Sequence, residues 1–153
     1  SGDAWGLNQP SFSNGAVLAD LDLDGDLDYV VNNINDPAFV FENKLNEKKE
    51  APSYLRIKLK GPKQNPVGLG TKVWAKTPSG EFLFQEMQVV RGYMSSTESI
   101  IHFGLDSLSA VEELQVIWPD GREQKLSKVA ANQVIEINYQ DAKAGSSSLA
   151  VWD

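Results

Sequence analysis

Residues 15–31 read Gly15-Ala16-Val17-Leu18-Ala19-Asp20-Leu21-Asp22-Leu23-Asp24-Gly25-Asp26-Leu27-Asp28-Tyr29-Val30-Val31. Two short apolar runs, Gly15 to Ala19 and Tyr29 to Val31, bracket five carboxylates at strict i, i+2 spacing. Short apolar runs bounded by turn-forming residues predict strands, so the acidic stretch is a loop between two of them. Four carboxylates converging at about 6 Å repel by ~0.7 kcal/mol per pair even in water, and six pairs oppose the folded loop by roughly 4 kcal/mol. The nearest cations, Lys44 and Arg56, are distant in sequence. A divalent cation removes that cost and replaces it with attraction.

The spacing fits calcium, a hard cation that takes six to eight oxygen ligands at flexible angles. Asp20, Asp22 and Asp24 occupy the first, third and fifth loop positions, and Gly25 permits the sharp turn at the sixth. Asp26 would offer its backbone carbonyl and Asp28 its carboxylate. Magnesium, which demands stricter octahedral geometry and retains water, ranks second. An EF-hand is excluded, because it needs flanking helices and a bidentate Glu at the twelfth position, which here is Val31. The competing reading is a solvated acidic turn without metal, but such a turn has no need of alternating Asp and Leu or of Gly25.

Outward from the loop the β signals continue. Phe39-Val40-Phe41 predicts a third strand, and the charged residues 44–53, ending in Pro52-Ser53, predict a linker. Beyond it, Tyr54 to Lys60 alternates apolar and basic side chains, the pattern of a half-buried strand. Thr71 to Thr77 and Glu81 to Val90 are candidate strands joined by the hairpin signal Pro78-Ser79-Gly80. Ser99 to Phe103, Glu113 to Trp118, Arg122 to Leu126 and Val134 to Tyr139 complete the set, with Trp118-Pro119-Asp120-Gly121 as a tight reversal. Seven strands predict an antiparallel sandwich, with a barrel as the other closure. Residues 141–153 are expected to be a loose tail.

Composition narrows the function. The 153 residues carry 14 Lys plus Arg against 21 Asp plus Glu, a net charge of −7. That balance argues against duplex nucleic acid and anionic lipid as partners. No apolar run reaches membrane-spanning length. Cysteine is absent, which removes disulfides, thiol catalysis and Cys-ligated zinc. The opening Ser1-Gly2-Asp3 is polar and is not read as a signal peptide, and the chain reads as a piece of a longer protein.

Two stretches resemble known families. Ser13-Asn14-Gly15-Ala16, Asp20 to Asp28 and Val31-Asn32-Asn33-Ile34-Asn35 resemble an FG-GAP/VCBS-type repeat, the calcium-bearing blade unit of β-propellers. Gly68 to Val73, Arg91 to Ser96, His102-Phe103-Gly104-Leu105, Trp118 to Gly121 and Asn132-Gln133 resemble the ASPIC/UnbV domain. This order is that of the cartilage acidic protein family and its bacterial relatives. The chain has Ser95-Ser96 where that pattern often has Ser-Gln. The resemblance implies an exported protein with further propeller repeats, calcium, and no defined reaction.

The expected architecture is therefore all-β: a propeller-blade-like calcium-loop hairpin over 1–43, a linker over 44–53, an antiparallel β-sandwich over 54–140 and the tail. The expected metal residues are Asp20, Asp22, Asp24, Asp26 and Asp28, with Ca2+ as the cofactor. No catalytic residue is assigned. His102, the single histidine, has no nucleophile motif beside it and reads as a strand-end hydrogen-bonding group. Gly68-Leu69-Gly70 is short of a phosphate-binding fingerprint and reads as a bulge or turn. Glu112-Glu113 and Glu47/Glu50 read as solvated surface.

If Val73 faces the core, Trp74 points outward, where it could stack on a sugar ring or pack against the linker or calcium repeat. It is the candidate ligand contact. Trp118 is expected in core or hairpin packing, and Trp5 as a remnant of a preceding blade. The expected function is a non-enzymatic, calcium-stabilised structural or binding module in an extracellular or periplasmic setting, with protein, glycan or the rest of its parent chain as partner. A carbohydrate-binding surface and a hydrolase-associated domain are the alternatives.

Overall fold

The computed structural model describes residues 6–47 and 51–145. Trp5, residues 48–50 of the expected linker, with Glu50, and residues 146–153 of the expected tail lie outside the described residues. The strands in chain order are β1 (Ser13–Ala19), β2 (Asp28–Asn33), β3 (Phe39–Phe41), β4 (Ser53–Lys60), β5 (Lys72–Lys76) and β6 (Phe82–Glu86). They continue with β7 (Ser96–Thr97), β8 (Ile101–Asp106), β9 (Ala110–Ile117), β10 (Arg122–Ala130), β11 (Gln133–Asn138) and β12 (Lys143–Ala144). The architecture is all-β, with one 3-10 turn at Tyr139–Asp141 and no α-helix among the described residues.

A five-stranded sheet in the order β12-β10-β9-β5-β6 faces a three-stranded sheet in the order β11-β4-β8. Period-2 alternation decides which side chains meet between them. Leu55, Ile57 and Leu59 of β4 and Ile101, Phe103 and Leu105 of β8 pack against Val73 and Ala75 of β5 and Leu114 and Val116 of β9. Trp118 closes one end, only 2% exposed, with its ring edge-on to Tyr139 at 5.4 Å. This is an open sandwich and not a closed barrel.

The turn chemistry works as the sequence predicts. Gly121, at φ +85°, donates to the Trp118 carbonyl at 2.9 Å, and Gly80, at φ +91°, does the same to Thr77 at 2.9 Å. Gly68 and Gly70 also have positive φ in the turn that leads into β5. The strand expected over Glu81 to Val90 ends at Glu86, and Gln88 to Val90 leave the sheet.

The antiparallel expectation holds for most pairs but needs one correction. β11 runs parallel to β4, from Gln133↔Leu55 to Asn138↔Lys60. The cause is local: β10 and β11 are joined at Ala131-Asn132 yet enter opposite sheets, so they do not form a hairpin. Asn132, at φ 57°, clasps the start of β4. Its N–H donates to the Tyr54 carbonyl at 2.6 Å, and its side-chain oxygen accepts from the Tyr54 N–H at 3.1 Å. The segment expected as a loose tail also contributes to the fold, because Lys143–Ala144 pairs with β10.

The first three strands form another sheet, in the order β3-β2-β1-β7. Its fourth strand comes from the far side of the chain: Ser96–Thr97 lies parallel to β1, with Val17↔Ser96 and Leu18↔Thr97 in register. Glu98 N–H donates to the Leu18 carbonyl at 3.2 Å, and Ala16 N–H donates to Ser95 Oγ at 3.1 Å. At Gly15 a Cβ would collide with the Met94 carbonyl, which explains a glycine there.

Candidate metal centre

The β1–β2 loop is coiled by its own aspartates. Asp22 accepts from the Asp24 N–H at 3.3 Å, and Asp24 accepts from the Asp26 N–H at 3.0 Å. Asp20 Oδ2 accepts from the Gly25 N–H at 3.2 Å. An Asp side chain that bonds the backbone two residues on mimics a backbone turn, so Asp at every second position suits this path. Leu23 at φ 65° and Gly25 at φ +97° complete the reversal.

These turns bring one carboxylate oxygen from each of Asp20, Asp22 and Asp24 within 4.8 Å of one another. Asp20 is buried, whereas Asp22 and Asp24 are exposed at the mouth. Asp28 is not part of that convergent trio. Its Oδ2 accepts from the Leu21 N–H and its Oδ1 from the Asn43 N–H, both at 2.9 Å. Asp26 Oδ2 accepts from the Leu45 and Asn46 N–H groups at 3.1 and 3.2 Å. These two carboxylates tie the loop to Asn43 and to Leu45 and Asn46, the latter two at the start of the segment read as a linker.

Two oxygens of the loop are left over. Asp20 Oδ1 and Asp26 Oδ1 are buried and have no hydrogen-bond partner among the described residues. A buried carboxylate oxygen without a donor is costly unless a cation or water meets it. The crowding also registers in protonation. Asp22 is raised above the ordinary carboxylate value, chiefly by lost hydration and further by the charges of Asp24, Asp28 and Asp20, against the N–H bond from Asp24. Asp26 is raised mainly by burial, with the Asp24 and Asp28 charges adding to it, opposed by its bonds from Asn46 and Leu45. A cation at the mouth reverses both tendencies.

The loop does not stand alone. Arg56 projects from the outer face of β4, where the alternation of Tyr54 to Lys60 suggests a basic, solvated row. Its side chain is instead only 4% exposed, because the acidic loop covers it. Arg56 Nη1 bonds Asp20 Oδ2, and Nη2 donates to both Glu98 carboxylate oxygens at 2.6 and 2.7 Å. Beside it, Gly25 lies so close to the Tyr54 ring that a Cβ would overlap it. Tyr54 in turn stacks on His102, with centroids 6.0 Å apart and planes 16° apart. His102 is pushed below the usual imidazole value by burial first and by the Arg56 charge second, with the Asp20 charge opposing.

A cleft of about 340 Å³ opens at this junction, lined by Leu18, Leu27, Met87, Arg91, Glu98 and His102 among others. Trp74 is not among its lining residues and lies on the outer face of the five-stranded sheet, opposite the buried Val73 and Ala75. Its ring is 4.9 Å from that of Phe84, and Lys76, Phe82, Glu113 and Gln115 surround it. The sequence reading set Arg56 aside as a cation distant in sequence and missed Glu98. Neither carries a local signal, and Arg56 lies 36 residues from Asp20.

An all-β sandwich carrying an acidic loop on its three-stranded face is the class of protein defined by fold and site. The family model described as ASPIC and UnbV matches residues 61–144, and the chain belongs to that family. It is 28% identical over 130 residues to cartilage acidic protein 1 of Xenopus tropicalis, across 82% of this chain and 19% of that protein. The chain thus spans about a fifth of its relative's length. Among the described residues no helix is long and apolar enough to cross a membrane.

Proposed function

We propose that the chain is a calcium-stabilised, non-enzymatic structural or binding module of an extracellular multidomain protein. Asp20, Asp22 and Asp24 supply side-chain oxygens to the ion and Asp26 its carbonyl, in a loop of FG-GAP/VCBS type. Asp28 shapes the loop through its two backbone bonds. The observation that carries this reading is the convergence of the Asp20, Asp22 and Asp24 carboxylates together with the buried, unpartnered Oδ1 of Asp20. Calcium bound there offsets the mutual repulsion of the loop. A site with Kd of ~10 µM in ~1 mM calcium stabilises the fold by about 2.7 kcal/mol.

The extracellular setting rests on the resemblance of Asp20 to Asp28 to repeats of exported proteins and on the likeness to cartilage acidic protein 1. The non-enzymatic reading rests on the cleft. Glu98 there is held by Arg56, and His102 Nδ1 is buried without the carboxylate that would orient it as a base.

Calcium titration followed by thermal melting tests the reading. The parent should melt several degrees higher in millimolar calcium than in chelator, and Asp22→Ala should lose that rise. A parent melting temperature indifferent to calcium refutes the structural-metal role.

One observation favours a second reading. Trp74 and Phe84 form an outward aromatic pair, with Phe84 49% and Phe82 40% exposed. Such a surface stacks on sugar rings or packs against a protein partner. Glycan-array binding that disappears in Trp74→Ala, with the melting curve unchanged, supports the sugar; binding to no glycan removes it.

A further inference from the structure

We propose that Arg56 is a resident counter-ion that shares Asp20 with the loop's cation and so links metal occupancy to the docking of the loop on the sandwich. The proposal rests on the calcium reading above. The two oxygens of Asp20 divide the work. Oδ2 is taken by Arg56 and the Gly25 N–H, while Oδ1 stays buried and unpartnered on a carboxylate that converges with those of Asp22 and Asp24. The side chains of Asp20 and Arg56 are 0% and 4% exposed, so neither charge is cushioned by water.

On its other side Arg56 is gripped by both oxygens of Glu98. Glu98 also gives its backbone N–H to Leu18 of β1. Cation, Asp20, Arg56 and Glu98 therefore alternate in sign from the loop to the sandwich. The same glutamate fastens Arg56 and the parallel β1–β7 seam.

A carboxylate this deep needs a positive charge beside it. Arg56 supplies that charge when the loop is empty, which holds the empty loop in its docked, coiled form. The same charge repels an incoming divalent ion. A double and a single positive charge about 6 Å apart weaken binding by about tenfold even at the dielectric of bulk water, the least that this buried setting allows. Arg56 thus trades calcium affinity for a loop that stays docked at low calcium. Glu98 moderates the trade by neutralising part of the guanidinium charge.

The test is calorimetric calcium titration together with thermal melting of the whole chain in chelator and in calcium. Arg56→Met should melt well below the parent in chelator, bind calcium about tenfold more tightly, and show a larger calcium-induced rise in melting temperature. Glu98→Gln leaves Arg56 uncompensated and should bind calcium severalfold more weakly. The surface variant Lys60→Met should match the parent Kd within twofold.

A parent that binds calcium while Arg56→Met binds it equally or more weakly overturns the role of Arg56 and leaves the calcium site standing. If Arg56→Met does not fold in chelator, Glu98→Gln decides, and an unchanged Kd there overturns the proposal. A parent that binds no calcium defeats the calcium reading, and this inference with it. Shifts of opposite sign in the two variants exclude a merely structural role, which would weaken binding in both.

Discussion

In residues 51–145 the connected apolar core runs from Leu55 to Ala142. In residues 6–47 the buried side chains are Asp20, Asp26, Asp28 and Asn33, with Val31 the one buried apolar residue among those described. The same strand geometry is thus held by different forces in the two regions. The sandwich excludes water from Leu, Ile and Val, each contributing about 1.5–3 kcal/mol when fully buried. The first sheet has too little apolar surface for that. It depends on carboxylates that bond backbone N–H groups, on Arg56, and on a strand borrowed from residues 96–97. The first region accordingly leans on charged and polar contacts beside a small ring cluster of Tyr29, Phe39 and Phe41, and the second on buried volume.

The sharpest way to break this contrast is to damage each region and ask whether calcium notices. Leu114, fully buried between the sheets, should cost about 2–5 kcal/mol when cut to Ala. Denaturant unfolding should record that loss equally in calcium and in chelator, since the cavity lies outside the loop. A calcium-dependent loss would show that the two regions do not separate as described.

Gly25→Ala should have a smaller but more informative effect. The alanine must adopt φ +97° and push into the Tyr54 ring. The expected cost is about 1–3 kcal/mol. Calorimetry should find calcium affinity lowered with it, because the loop can no longer coil against the sandwich. Unaltered affinity would mean that loop shape and docking are independent.

The smallest expected effect is a dependence on pH. His102 has a lowered imidazole pKa in the folded chain, from burial and the Arg56 charge. The unfolded chain therefore binds the proton more readily. Stability from this group is fully present above about pH 6.5 and is lost as pH falls from there toward the lowered folded value. Melting temperatures of the parent and His102→Gln, taken from pH 7.5 to 5.5, should converge as pH falls. A constant difference between them would show that the ring titrates alike in both states.

The strands of the first region were readable as short apolar runs between turn-forming residues, and those of the second chiefly as alternation. Tyr54 to Lys60 and Val134 to Tyr139 show it residue by residue, and Pro119-Asp120-Gly121 marks its own reversal. The acidic loop was readable for a related reason: Asp20, Asp22 and Asp24 are close in sequence, and Asx turns are short-range. The roles of Asp26 and Asp28 were less so, since their oxygens bond the N–H groups of residues 43–46, about a full hairpin away.

Sequence alone thus determined the all-β class, most of the strand positions, the tight turns and the clustering of three aspartates, since periodicity and local hydrogen bonding act over a few residues. Tertiary structure alone decided that β11 runs parallel to β4, that residues 96–97 complete the first sheet, and that Arg56 and Glu98 meet Asp20. Those outcomes depend on which sheet face a distant segment covers. An arginine in an alternating strand carries the same pattern whether water or a buried carboxylate lies above it.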